Sequence, residues 1–260
     1  MFPLRDNIPT EHFPIVTVLI IVANCIVYFF LQDGLLGLPD EGLGGDWPVV
    51  EYATIPYEVT HPGNVCEATA SGAIACEGQP GVTGTADPQP PTWLTLFTAM
   101  FMHGSLLHIG GNMLFLWIFG NNVEDAMGPF RFLAFYLLGG LAADAAQILV
   151  DTNSMVPTLG ASGAVAGVLG GYLLIFPRAR VVTVVFIIFF FTILELPAIL
   201  FLGIWILQQA LFAYFDLLQP TGDGGGVAYF AHIGGFVFGL LAVRAFAIEQ
   251  RRRRQLERAR

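Results

Sequence analysis

Six stretches of this chain, residues 13–32, 104–121, 130–150, 160–176, 196–215 and 226–248, are apolar and long enough, or nearly so, to cross a bilayer. A hydrocarbon core of roughly 30 Å takes about 20 residues of helix. Inside it, only structures that satisfy every backbone polar group internally persist. Helices joined at the two surfaces are therefore the expected architecture. With 55% hydrophobic and only 12% charged residues, a soluble domain is excluded. The run 13–32 is too long for a signal-peptide core and no small-residue cleavage site follows it, so it reads as an uncleaved first span.

Charge then orients these spans. There is no lysine, and the arginines stand at 5, 131, 178, 180, 244, 251–254, 258 and 260. Residues 33–92 hold nine Asp or Glu and no arginine. Basic residues are retained on the cytoplasmic side. Six spans with both termini cytoplasmic put all eleven arginines there and leave 33–92, 151–159 and 216–225 outside. The expected organisation is a cytoplasmic N-terminus (1–12), a first span (13–32), an external segment (33–103), a five-helix core (104–248) and a basic cytoplasmic tail (249–260). The net charge of −9 does not imply a cationic partner. The run Arg251–Arg254 reads as an anchor at the lipid surface rather than a nucleic-acid site.

Two segments fit less readily. Residues 181–194 are wholly apolar but too short to span. They are expected in the interface or against the bundle, with the fifth helix starting at Pro197. Residues 33–92 are rich in Gly, Pro and acids and read as an irregular loop with little packed core. Cys66 and Cys76, close together on the non-cytoplasmic side, are expected to form a disulfide, the alternative being two free thiols. Cys25 is expected as apolar packing.

Polar side chains are costly inside a bilayer and mark function by default. Counting 1.5 Å per residue from the arginine-bearing ends puts Ser162, His108 and His232 all roughly 18–20 Å up. Three helices thus bring polar groups to one level. Ser162 heads its segment, where backbone N–H groups lack helical partners and can receive an oxyanion. On this motif alone, an ordinary N-cap is the favoured reading. A histidine at the same level changes the balance, because neutral imidazole can take the serine proton and deliver it to a leaving amine. A buried histidine bonded to a carbonyl is the alternative. Gly163 and Gly167 on one segment, and Gly235 and Gly239 on the other, form small-residue faces that let two helices approach closely. No third acidic residue is evident in the sixth span, so a Ser–His dyad is the expected unit.

His108 and Asn112, four apart, share a helix face and can both donate hydrogen bonds. His103 is expected to bond loop backbone in a structural role. Glu124 and Asp125 are expected to fix the loop after the second span, with Arg131. A metal site from His103, His108 and His232 lacks an acidic or cysteine ligand at comparable depth, so neither metal nor cofactor is expected. Asp144, near Gln147, would suit a transporter's ion path, but no repeated halves or paired intramembrane charges accompany it. It is expected to bond a neighbouring helix.

From about Trp93 to Arg244 the chain resembles the rhomboid family of intramembrane serine proteases. The resemblance lies in HGSLLHIGGN (His103 to Asn112), the following FLWIFGNNVEDAMG, GASGAVAGVLGG (Gly160 to Gly171) and AHIGGFVFG (Ala231 to Gly239). It implies an all-α polytopic membrane protein, a six-transmembrane-helix bundle with a water-filled cavity open to the outside. It implies Ser162 as nucleophile, His232 as general base, and His108, Asn112 and the Ser162 backbone N–H as oxyanion hole. The implied reaction is hydrolysis of peptide bonds in or near transmembrane segments of other membrane proteins. Small residues before the scissile bond, and movement of the fifth helix to admit substrate, are implied as well.

Two positions depart from the family pattern. Leu94 and Thr95, beside Trp93, stand where many members carry Trp-Arg. Ala166 stands where many carry an aromatic ring stacked on the histidine, a place another aromatic would have to fill. A proteolytically inactive relative that binds membrane clients is the alternative, and would be expected to lack the serine or the histidine. Export-side chemistry and the lack of an organelle-targeting segment point to a bacterial plasma membrane. Oligomeric state is not legible.

Overall fold

The computed structural model describes residues 1–32, 47–69, 73–83, 85–86, 89–187, 190–218, 227–248, 251, 255 and 257. In chain order these form β1 (Phe2–Asp6) and α1 (Ile15–Ile26), which runs on as a π-helical segment, Val27–Gln32. Next come α2 (Trp47–Tyr52), α3 (Pro56–Thr60), β2 (Cys66–Ala68), β3 (Ile74–Cys76) and α4 (Thr92–Thr98), extended by a 3-10 turn at Ala99–Phe101. Helix α5 (Leu106–Phe115) passes through a π-helical segment, Leu116–Gly120, into α6 (Asn121–Met127). The remainder is α7 (Pro129–Val150), α8 (Ser162–Ile175), β4 (Arg180–Ile187), β5 (Phe190–Pro197), α9 (Ala198–Leu218) and α10 (Tyr229–Phe246).

Four described helices are long and apolar enough to cross a membrane: Ile15–Gln32, Pro129–Val150, Ala198–Leu218 and Tyr229–Phe246. The chain is an integral membrane protein. Helix α8 is shorter, 14 residues, and sits at the centre, buried at every position from Gly163 to Tyr172. Lipid supplies no hydrophobic drive between helices, so close packing of small residues has to hold them. A methyl group on Gly235 would overlap the Gly163 carbonyl oxygen, and one on Gly239 the Gly167 carbonyl. Helices α8 and α10 therefore touch backbone to backbone. Phe119, Phe132, Phe135, Tyr136 and Tyr172 fill the core around α8, all fully buried.

The fold is not wholly helical. Residues 181–194, expected at the interface or against the bundle, instead form the β4–β5 hairpin, and β1 pairs with β4 to give the antiparallel order β1-β4-β5. The physical reason is composition: Val181, Val182, Thr183, Val184 and Val185 are β-branched and suit a pleated surface better than a helix. Pro197 closes β5, and α9 begins one residue later, its Ala198 N–H donating to Ala179 O at 2.7 Å.

The segment expected to be irregular also carries a packed nucleus. Cys66 and Cys76 face each other across the β2–β3 hairpin and are joined by a disulfide. They cluster with Val50, Ile55 and Tyr57. Cys66 N–H donates to Glu58 Oε1 at 2.6 Å, and burial pushes the Glu58 carboxyl up against that bond's opposing pull. A disulfide and a few buried apolar side chains suffice where a larger core is lacking. Residues 33–46, 70–72, 84 and 87–88 of the expected loop lie outside the described residues, as do 219–226.

At the end of the bundle opposite Ser162, carboxylates hold the N-terminal segment. Glu124 accepts from Val16 N–H (2.9 Å), Thr17 N–H (2.7 Å) and Thr17 Oγ1 (2.7 Å). These are first-turn donors of α1, without acceptors inside the helix, and a negative charge there also suits the helix dipole. Asp125 accepts from Glu11 N–H and pairs with His12 Nδ1, each at 2.7 Å. Arg131, expected to join them, donates to Phe246 O at 3.4 Å instead. Asp6 of β1 accepts from the Tyr172 hydroxyl and from Asn122 Nδ2 (2.7 Å), while burial pushes its carboxyl up to about 6. In the tail, Arg251 and Gln255 fold back onto α6, Gln255 Nε2 reaching Asp125 Oδ2 at 3.2 Å.

Candidate active site

The site is built at the head of α8. Gly160 has φ 123°, a conformation side chains rarely adopt, and a Cβ there would come within 2.8 Å of the His108 ring. Only glycine meets both demands. Its N–H donates to Ala99 O at 2.8 Å, and Ala161 N–H donates to His103 Nε2 at 3.5 Å. The first helical bond runs from Val165 N–H to Ala161 O, so the N–H groups of Ser162, Gly163 and Ala164 have no acceptor within the helix. The approach to this turn is clamped by the disulfide-bonded segment: Thr54 and Thr158 exchange both backbone bonds (3.0 and 2.8 Å), and Tyr57 N–H donates to Ser154 O.

Ser162 does not act as an N-cap; that position belongs to Ala161, with no side-chain cap bond. Its Oγ lies 2.8 Å from His232 Nε2, so the glycine seam between α8 and α10 brings these two side chains together. His108 sits at the start of α5, capped by Ser105 Oγ, and its ring meets the Ser162 loop at Gly160 and the His103 ring at 5.0 Å. Asn112, one turn further along α5, is buried, and its Nδ2 has no partner among the described residues. His103 is fixed by Gln32, which accepts from its N–H (2.9 Å) and donates to its carbonyl (2.7 Å).

Asp144, Met100, Gly140, Gly163 and Ala231 line a small cavity beside Ser162. Bonding to a neighbouring helix falls to Gln147, whose Oε1 accepts from Ala231 N–H at 3.2 Å, whereas Asp144 Oδ2 is buried without a partner among the described residues.

Two further residues of the site, Gln209 and Trp205, stand on α9, where the sequence suggests no site residue. Gln209 on α9 places Oε1 2.7 Å from His232 Nδ1, and Trp205, one turn earlier, lies 5.9 Å from the imidazole at 35°. The aromatic neighbour of His232 thus comes from α9, not from position 166 on α8. The available signal is the glutamine pair Gln208 and Gln209 inside a largely apolar helix.

Fold and site together define a helical membrane protein with a hydrogen-bonded serine and histidine at the head of a short, central helix. A family model for the Rhomboid domain matches residues 90–248, and the chain belongs to the rhomboid family. It is 30% identical over 172 residues to rhomboid protein 1, mitochondrial, of Saccharomyces cerevisiae, covering 64% of this chain and 46% of the relative. To rhomboid-like protein 11, chloroplastic, of Arabidopsis thaliana it is 40% identical over 77 residues, covering 30% and 27%. To the human presenilin-associated rhomboid-like protein, mitochondrial, it is 32% identical over 99 residues, covering 37% and 26%. The chain thus spans less than half the length of these relatives. Their names point to mitochondria and chloroplasts, so the expected bacterial plasma membrane gains no support from them.

Proposed function

We propose that this protein is an intramembrane serine endopeptidase that cleaves peptide bonds in or near transmembrane segments of other membrane proteins. The observation that carries the reading is the 2.8 Å bond between Ser162 Oγ and His232 Nε2 at a helix N-terminus whose first N–H groups have no acceptor within the helix. Ser162 Oγ attacks the scissile carbonyl as His232 takes its proton. The oxyanion is received by the Ser162 N–H, Asn112 Nδ2 and His108. His232 then protonates the leaving amine, and water enters to hydrolyse the acyl-enzyme. A helical substrate hides its carbonyls in hydrogen bonds, so it has to unwind at the cleavage point, and helix-breaking Gly or Pro favours cleavage.

In this reading Leu106–Met127 and Ser162–Ile175 complete a six-helix bundle with both termini cytoplasmic, and the site opens to the opposite side. The arginine distribution supports that orientation. The test is cleavage of a labelled single-span substrate by purified protein in liposomes. Wild type is expected to cleave, and Ser162→Ala and His232→Ala to fall to background. Cleavage surviving Ser162→Ala would overturn the serine mechanism. Stable capture of substrates without cleavage by wild type would favour a client-binding role.

A further inference from the structure

Gln209 is 7% exposed, on a largely apolar helix, and burying an amide there is costly without a good partner. Its partner is the ring nitrogen of His232 that faces away from Ser162. An amide oxygen can only accept, so a bond from Nδ1 to Gln209 Oε1 requires the proton on Nδ1. Neutral imidazole carries one such proton, which leaves Nε2 as a bare acceptor 2.8 Å from Ser162 Oγ. The hydrogen-bond chain then has one direction: Ser162 O–H donates to His232 Nε2, and His232 Nδ1–H donates to Gln209 Oε1.

We propose that Gln209 is a positioning residue for the general base, holding His232 in the Nδ1–H tautomer and fixing its ring plane. This rests on the hydrolase reading and deepens it: the unit is three residues, and the third is neutral. A carboxylate in the same place would have to be carried into the membrane as a charge, at considerable cost. An amide orients the ring without that charge and keeps accepting the Nδ1–H hydrogen bond as the imidazolium forms. Trp205 on the same face of α9 closes the side of the ring, so one helix supplies both the acceptor and the wall.

The test combines tautomer and kinetics in the full-length protein in liposomes. Histidine 15N spectra, with the His232 signal assigned by its loss in His232→Ala, are expected to show Nδ1–H in wild type. In the nearly isosteric Gln209→Met the Nδ1–H preference is expected to disappear. Its kcat is expected to drop roughly 10- to 100-fold, the range for removing a partner that orients a histidine, with KM little changed. Gln209→Glu restores an acceptor, so most of kcat should return, with the acid limb of the pH profile moved upward because a carboxylate favours the imidazolium. An Nε2–H tautomer in wild type, corresponding to the amide turned the other way, would overturn the assignment. So would unchanged spectra and kcat in Gln209→Met, or equal losses in the Met and Glu variants. A wild type with the expected tautomer that cleaves no substrate would sink the protease reading and leave Gln209's hold on His232 standing.

Discussion

Two of the neighbours of helix α10, α8 and α9, meet it around His232, and they hold it in opposite ways. Toward α8 the contact is backbone on backbone, with Gly170, Gly235 and Gly239 leaving no room for a methyl group. Toward α9 it is side chain on side chain: Trp205 meets Phe236 at 6.1 Å and Phe212 meets Tyr229 at 5.5 Å. Only Ala198, Phe201, Leu202, Gln209 and Ala213 of α9 are buried, while Ile199, Leu207, Leu211 and Phe215 are exposed. The seam that joins Ser162 to His232 has little slack, because close backbone packing tolerates almost no change in volume. The interface that delivers Gln209 can repack.

The sharpest way to break this contrast is Gly235→Ala, which drives a methyl into the Gly163 carbonyl. It is expected to destabilise the fold by about 3 kcal/mol or more, read as a fall in thermal midpoint in detergent. A midpoint equal to wild type would mean that the seam is not rigid.

The foot of α8 tests the same idea through pH. Asp6, bonded to Tyr172, has a folded-state carboxyl raised to about 6 from 3.8. A raised acid binds its proton more tightly in the fold, so its contribution is full below about 3.8 and is lost as pH rises through about 6. Between pH 4 and 7 wild type should therefore lose stability relative to Asp6→Asn; parallel pH curves for the two would contradict the burial of this carboxyl. Trp205→Ala, on the adaptable side, is expected to lower kcat about tenfold while the midpoint stays within a few degrees. Leu207→Ala, on the 69% exposed face of α9, should change neither measurement.

What could be read from the sequence follows the same division. The apolar runs 130–150 and 226–248 became Pro129–Val150 and Tyr229–Phe246, because proline, glycine and charge punctuate them. The glycine seam was visible because spacing of four is a property of one helix. The second apolar helix was drawn six residues short, since Glu124 and Asp125 look like loop residues until α1 and His12 are seen to satisfy them. The hairpin was missed because apolarity alone does not separate a short strand from a short helix. Gln209 was missed for a different reason: its role depends on which helix lies across from it, and no local pattern states that.

The carboxylate clamp on the N-terminal segment also sets an order of manufacture. Strand β1 waits for Val181 to Val184, and the first turn of α1 waits for Glu124. At about 5–20 residues per second, the ribosome needs on the order of 10–40 s between making β1 and making its partner. Part-way through that interval Glu124 is made and can take the first-turn N–H groups of α1, while β1 still lacks its partner strand. The N-terminal segment is therefore secured in two stages, and a stall in translation between residues 124 and 181 would leave α1 held by Glu124 and β1 without its partner strand.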